Sequence, residues 1–257
     1  MRQVILVVLG TILLATNAIH AQPVRSAPYT RTPAGTSSGD VVWTQLDEPT
    51  GQAFTDQAFE AAYAAYDSWG GDDFIVPWGG CWREELTSLF TPGSLTGSGS
   101  NPFFVNVAFY MDAGGQPGSV ICDLPLNTDY IPDGGDLAID VSGCSVPLGS
   151  VWFSQQVRMD FNPFGQHYWA TRISANENPA VWKNPGNGFG NDCFDWQPAN
   201  AQCGMTGEDW LFELSGSIAY GEDPWDCGTI PAIGPFGVVL LIVALGASSA
   251  YVLRRRR

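Results

Sequence analysis

Basic residues are scarce in this chain. Between Gln22 and Thr229 there are six, Arg25, Arg31, Arg83, Arg158, Arg172 and Lys183, against all 26 acidic residues, a formal charge of −20. A surface so charged repels phosphate backbones and anionic headgroups, which excludes nucleic acid as a partner. Histidine is scarcer still: His20 lies in the leader, so His167 alone is available to shuttle a proton or bind a metal. It has no G-x-S-x-G elbow beside it, and no H-E-x-x-H, P-loop or G-x-G-x-x-G pattern occurs. There is no C-x-x-C pair, so zinc held through sulfur is excluded as well. Nothing names a catalytic apparatus, and the chain reads as a non-enzyme.

What is present begins with the two ends. Arg2 precedes an apolar stretch, Val4 to Ala15, followed by small residues suited to signal-peptidase cleavage after Ala21, with Ala18 as the alternative. At the other end the uncharged run Ile233 to Leu253 has 21 residues. As a helix that run would reach about 30 Å, enough to cross a bilayer's hydrocarbon core. Arg254, Arg255, Arg256 and Arg257 follow it, and the positive-inside bias keeps such a cluster cytoplasmic. The expected layout is a signal peptide 1–21, a flexible leader 22–40, an ectodomain 41–221, a linker with a sorting motif 222–232, a transmembrane helix 233–253 and a cytoplasmic tail 254–257. The chain is thus expected to be exported, with the membrane, signal peptidase and a sorting protease as its partners at the two ends.

Ile230, Pro231 and Gly237, then the apolar helix and the arginines, resemble the IPTL-CTERM type of bacterial C-terminal sorting signal, a relative of PEP-CTERM. Ala232, Ile233, Gly234 and Phe236 depart from that pattern, where threonine, leucine, serine and tryptophan are usual. The resemblance implies a protein sorted to the cell surface. The stretch from Gly71 to Gly216 is in turn similar to secreted bacterial domains of unknown function. Gly71-Asp72-Asp73-Phe74-Ile75-Val76-Pro77, Val105-Asn106-Val107-Ala108-Phe109-Tyr110, Trp182 to Gly190 and Asp209 to Gly216 carry that similarity. It implies a β-sandwich on the surface and no particular activity.

From Val41 onward, short apolar or alternating runs are broken by Gly, Pro, Asn and Asp. Strands are expected at Val41–Leu46, Asp72–Trp78, Glu85–Thr91, Phe103–Met111, Val120–Leu124, Leu137–Val141, Val151–Asp160, Tyr168–Ser174 and Trp210–Tyr220. Val151, Phe153, Gln155, Val157 and Met159 form one face of such a strand, against Trp152, Ser154, Gln156 and Arg158. The fold class is therefore all-β, an antiparallel, jelly-roll-like sandwich. One short helix is allowed within Ala53–Tyr66. Six cysteines, Cys81, Cys122, Cys144, Cys193, Cys203 and Cys227, all lie in the exported part and point to three disulfides. Fifteen pairings exist for six cysteines. Cys193–Cys203 is the first expectation and Cys122–Cys144 the second.

Two ligand chemistries remain. Tyr168, Trp169, Trp182 and Trp196 cluster in sequence with Asn176, Asn178, Asn184, Asn187, Asn191 and Asp192. Flat rings stack on the apolar faces of sugars, and amides bond hydroxyls, so these four aromatics are the candidate carbohydrate-binding set and extracellular polysaccharide the candidate partner. Asp72, Asp73 and Asp209 are the candidates for a structural Ca²⁺, a hard cation served by oxygens from distant loops; as turn formers they need no metal. The expected function is a binding or matrix-structural module. A carboxylate-dependent, glycosidase-like hydrolase is the alternative, because that chemistry requires only two acidic groups.

Overall fold

The structure is a computed structural model that describes residues 22–33, 40–76, 82–97, 104–127 and 130–220. The signal peptide 1–21, the sorting motif, the anchor helix 233–253, the arginine cluster, Cys81 and Cys227 all lie outside the described residues. Among the described residues no helix is long and apolar enough to cross a membrane.

The described chain is all-β and sandwich-like, arranged as three sheets. The largest has seven strands. Its main path runs Gln197–Pro198, Val181–Lys183, Trp69–Val76, Gly149–Arg158, Phe104–Asp112 and Pro117–Asn127, and Gln57–Ala58 joins Gly149–Arg158. That last pairing is parallel, whereas every other described pairing is antiparallel. The six-stranded sheet is built around Trp82–Thr91 and Phe212–Tyr220, with Asp40–Gln45 at one edge. The five-stranded sheet carries Gln166–Arg172 at its centre, beside Pro49–Thr55.

Period-2 patterning places the core. Along Gly149–Arg158, Val151, Phe153 and Val157 join the main apolar cluster, as the alternation predicts. Gln155 points the same way, toward the buried polar groups of the neighbouring sheets. Phe74, Phe109, Phe153, Phe212, Trp169 and Trp210 meet in that cluster as edge-to-face, tilted and stacked rings. Each such ring, fully buried, contributes about 2–3 kcal/mol through apolar area removed from water. Trp169 and Trp210 stack at 4.7 Å with their planes 15° apart. Their stack lies directly on Gly70, where a β-carbon would come within 2.8 Å of the Trp210 ring. The absence of a side chain at Gly70 is what lets the two indoles sit against the sheet.

Both disulfides expected first are present, Cys193–Cys203 and Cys122–Cys144, across 10 and 22 residues of sequence. Loops of that size stabilise a fold by about 3 kcal/mol, chiefly by restricting the unfolded chain. Two expectations are corrected. The leader 22–40 is not structureless: Ser26–Pro28 pairs with Pro49–Thr55, Ala27 and Tyr29 are buried, and Arg25 donates to the Cys203 carbonyl. A Pro/Ser/Thr-rich composition hides a strand when its apolar residues are few but land on a prepared groove. The helix within Ala53–Tyr66 shortens to a 3-10 turn, Ala61–Tyr66. Ala53 and Phe54 instead belong to a strand buried on both sides, so the alanine spacing there reflects tight sheet packing and not a helical stripe.

Candidate functional site

Four aromatics stand as sugar-binding candidates, and the structure separates them. Tyr168, Trp169 and Trp182 are buried and cannot form a platform, which corrects the expectation for all three. The cause is strand parity. In Val181–Lys183 the central Trp182 turns inward, donating its ring N–H to the Thr55 carbonyl at 2.7 Å, while Val181 and Lys183 take the outer face. Trp169 likewise donates to the Leu211 carbonyl at 2.7 Å. Only Trp196 is half-exposed.

Trp196 lies on the outer face of the seven-stranded sheet, and the register shows what surrounds it. Lys183 pairs with Trp69, and Gly71 pairs with both Val181 and Ser154. Ser154 and Gln156 pair in turn with Ala108 and Asn106. The Lys183 ammonium sits between two indoles, 4.1 Å from the centre of Trp196 and 5.1 Å from that of Trp69. Tyr110 packs edge-on to Trp196, with ring centres 6.4 Å apart. A β-carbon on Gly71 would be 3.5 Å from the Trp196 ring, so the glycine forms the floor on which that indole lies. Burial lowers the Lys183 pKa, opposed by Asp195. Sequence reasoning missed Trp69, which sits in a Ser-Trp-Gly-Gly context; the signal that could have found it is its parity with Gly71 and Asp73 on one strand.

The same outer face is closed at its other end. Trp152, in the row between Asp73 and Tyr110, is fully buried and donates to Asp112 Oδ1 at 2.9 Å. Asn178 binds Asp73 Oδ2 at 2.6 Å through its side chain and lies against Gly115, so the 174–180 loop crosses over Trp152. The open end of the face therefore comprises Trp69, Trp196, Lys183 and Asn106, with Arg158 exposed beyond them, while Gln156 is buried between Ser68 and Asn106.

Asp72, Asp73 and Asp209 do converge, but across two sheets: Asp72 and Asp73 lie on Trp69–Val76 of the seven-stranded sheet and Asp209 on Asp209–Trp210 of the five-stranded one. All three are buried. Asp72 accepts from the Gln45 side chain at 2.9 Å, the Trp210 amide at 3.0 Å and the Asp73 amide at 2.9 Å. Asp209 accepts from the amides of Asn176 and Ala180, and Asp73 from Asn178 and Ser150. Every carboxylate oxygen is thus already engaged by protein donors. Among the described residues no group of acidic, histidine or cysteine side chains is arranged as a metal centre. Desolvation is the chief cause of the raised pKa of all three: with repulsion from Asp209 and Asp73 it pushes Asp72 well above the usual carboxylate range, with Glu177 it pushes Asp73 to about 6, and with Asp73 it pushes Asp209 to about 7.

His167 is enclosed too. Its Nδ1 meets Asp56 Oδ1 at 2.6 Å and its Nε2 meets the Gly135 carbonyl at 2.9 Å. Both ring nitrogens face oxygens, an arrangement that favours the doubly protonated ring. Burial alone would lower its pKa, but the Asp56 charge and hydrogen bond, with the Gly135 carbonyl, raise it overall. Gln155 donates to the second oxygen of Asp56, and Thr91 donates to Gln155. This chain of bonds ties all three sheets together, and none of it reaches solvent.

Among the described residues, one shallow depression holds Asp123 and Asp140 and another is lined by Thr50, Ile173, Met205 and Glu208. Asp123 and Asp140 are both exposed, without the apolar enclosure that holds a carboxylic acid protonated for glycoside cleavage. No protein-family model, characterised protein or solved structure matches this chain.

Proposed function

We propose that this chain is an exported, membrane-anchored or sorted surface protein whose β-sandwich is a non-catalytic polysaccharide-binding module. The carrying observation is the open end of the outer sheet face. Trp69 and Trp196 are half-buried there, and neither ring N–H has an acceptor among the described residues, unlike the N–H groups of Trp152, Trp169, Trp182 and Trp210. Indoles with one accessible face and a free donor are what a sugar ring requires. Export is supported by the two disulfides, which persist in oxidising compartments, and by the leader and tail patterns of the sequence. The jelly-roll-like secreted domains that the middle of the chain resembles fit the same reading, as does a sorting protease or membrane as the partner of the C-terminus.

A polysaccharide binding screen on the full chain, in mild detergent, tests this reading. Binding that is lost in Trp69→Ala and Trp196→Ala, with a cooperative urea unfolding transition retained, is the expected result. A folded protein that retains no polysaccharide would overturn it and leave a purely structural coat role.

A further inference from the structure

The described residues hold five side-chain cations whose placement is defined: Arg25, Arg31, Arg158, Arg172 and Lys183. Three are committed. Arg25 donates to the Cys203 carbonyl, Arg31 pairs with Asp136 at 3.2 Å, and Arg172 pairs with Asp47 at 2.9 Å and Glu48 at 3.6 Å. The other two, Lys183 and Arg158, have no carboxylate within 4.0 Å among the described residues. Asp195 and Asp67 feel their charges from beyond ion-pair distance. In a stretch of formal charge −20, where acidic partners are plentiful, two unpaired cations are unexpected.

They also share one surface. Lys183 and Trp69 are paired across neighbouring strands, Gln156 lies one strand further on, and Arg158 is two residues beyond Gln156 on the same outer side. Lys183 is the only lysine of the chain. Its stem and ammonium are wedged between indoles, which fixes the charge in place at little further entropic cost when a ligand arrives. Arg158 is exposed and offers a planar fork that matches a carboxylate. The spacing of fixed cation, aromatic rings and guanidinium along one face fits an extended chain that carries anionic groups on sugar rings.

We infer that the open face selects an acidic polysaccharide, with the rings of Trp69 and Trp196 stacking on sugars while Lys183 and Arg158 bind the ligand's anionic substituents. This rests on the polysaccharide reading above and sharpens it to a ligand class. The strongly acidic remainder of the domain repels such a polymer at long range. That repulsion is screened over about 8 Å at physiological ionic strength, so the local contacts decide binding.

The test compares polygalacturonate, the same polymer with its carboxyls methyl-esterified, a sulfated glycan and a neutral glucan, each titrated against the full chain in detergent. Binding at least about tenfold tighter to polygalacturonate than to its ester is expected, since esterification removes the charge that Lys183 and Arg158 would pair with. The sulfated polymer tells whether any sugar-borne anion serves or a carboxylate is required; tighter binding than the neutral glucan supports the anionic class in either case. Arg158→Gln touches neither indole and should weaken the polyuronate about three- to tenfold without altering whatever binding the ester retains. Lys183→Gln should do the same or more. Equal affinity for polyuronate and ester, unmoved by Arg158→Gln, would overturn the charge selection while leaving the stacking face intact. Failure to bind any of the four polymers would overturn the polysaccharide reading itself, and near-UV circular dichroism of each variant separates that outcome from misfolding.

Discussion

The tryptophans inside the sandwich and those on the outer face of the seven-stranded sheet have opposite surroundings. Trp169, Trp182 and Trp210 are fully buried, and each ring N–H is spent on a backbone carbonyl. Trp69 and Trp196 are half-exposed, hold a lysine between them and keep their N–H groups uncommitted. The same residue type therefore does two jobs a strand's thickness apart. Neighbours in sequence are split between them: Trp182 turns inward and Lys183 outward. An indole inside this fold is a structural unit whose polar atom has to be satisfied by the chain. An indole outside it offers that atom to something else.

This contrast breaks most visibly under truncation. Trp169→Ala or Trp210→Ala should destabilise the protein by about 3–5 kcal/mol in urea unfolding, since each removes a stacked, fully enclosed ring. Trp196→Ala should cost less than about 1 kcal/mol and yet abolish ligand binding. Comparable losses of stability at both positions would mean that the outer ring is a structural cover.

The buried titratable groups give the next largest effect. His167→Gln leaves Asp56 enclosed without its cation and should cost about 3–5 kcal/mol. The pH dependence has a definite sign. Asp72, Asp73 and Asp209 hold protons in the folded protein at pH values where the unfolded chain has released them, so folding weakens as pH rises from about 4 through about 6 and about 7. The imidazolium of His167 adds to this trend: its contribution is present below the unfolded value of about 6.5 and is lost as pH rises through its raised folded pKa. Thermal unfolding should accordingly show a higher midpoint at pH 5 than at pH 8, with the slope above pH 7 flattened in His167→Gln. A midpoint that climbs over that range would contradict the proton-holding cluster.

Smaller changes sharpen the same contrast. Gly70→Ala pushes a methyl group into the Trp210 ring and should destabilise by about 1–3 kcal/mol, without effect on the outer face. Millimolar calcium at pH 8 should leave the unfolding midpoint unchanged, because the oxygens of the three aspartates already serve N–H and O–H donors. A calcium-dependent rise, removed by a chelator, would show that the cluster exchanges its protons for a cation.

Much of the frame was legible beforehand. Long alternating runs such as Val151–Asp160 and Phe103–Met111 appear as strands within a residue or two of their expected limits, because one face of each must be apolar. Two disulfides followed from an even count of cysteines and the spacing of Cys193–Cys203 and Cys122–Cys144. Ser26–Pro28, Gly93–Thr96 and the other short strands were illegible for the converse reason. Three or four residues carry no period, and they become strands only because an edge is there to pair with.

The division between the two sources of information is clearest at the candidate sites. The amino-acid sequence alone determined the acidity, the class of fold and the strand alternation, since these depend on residue type and local spacing. It also put Asp72, Asp73 and Asp209 in one group, which the packing of the seven-stranded against the five-stranded sheet brings together. Which tryptophan faces solvent was decided by tertiary structure, because parity becomes inside or outside only once a second layer covers one face. The pairing of three of the five cations, and the isolation of Lys183 and Arg158 on one surface, were decided there as well. Charges meet or fail to meet through contacts between strands far apart in sequence, and no local pattern encodes those distances.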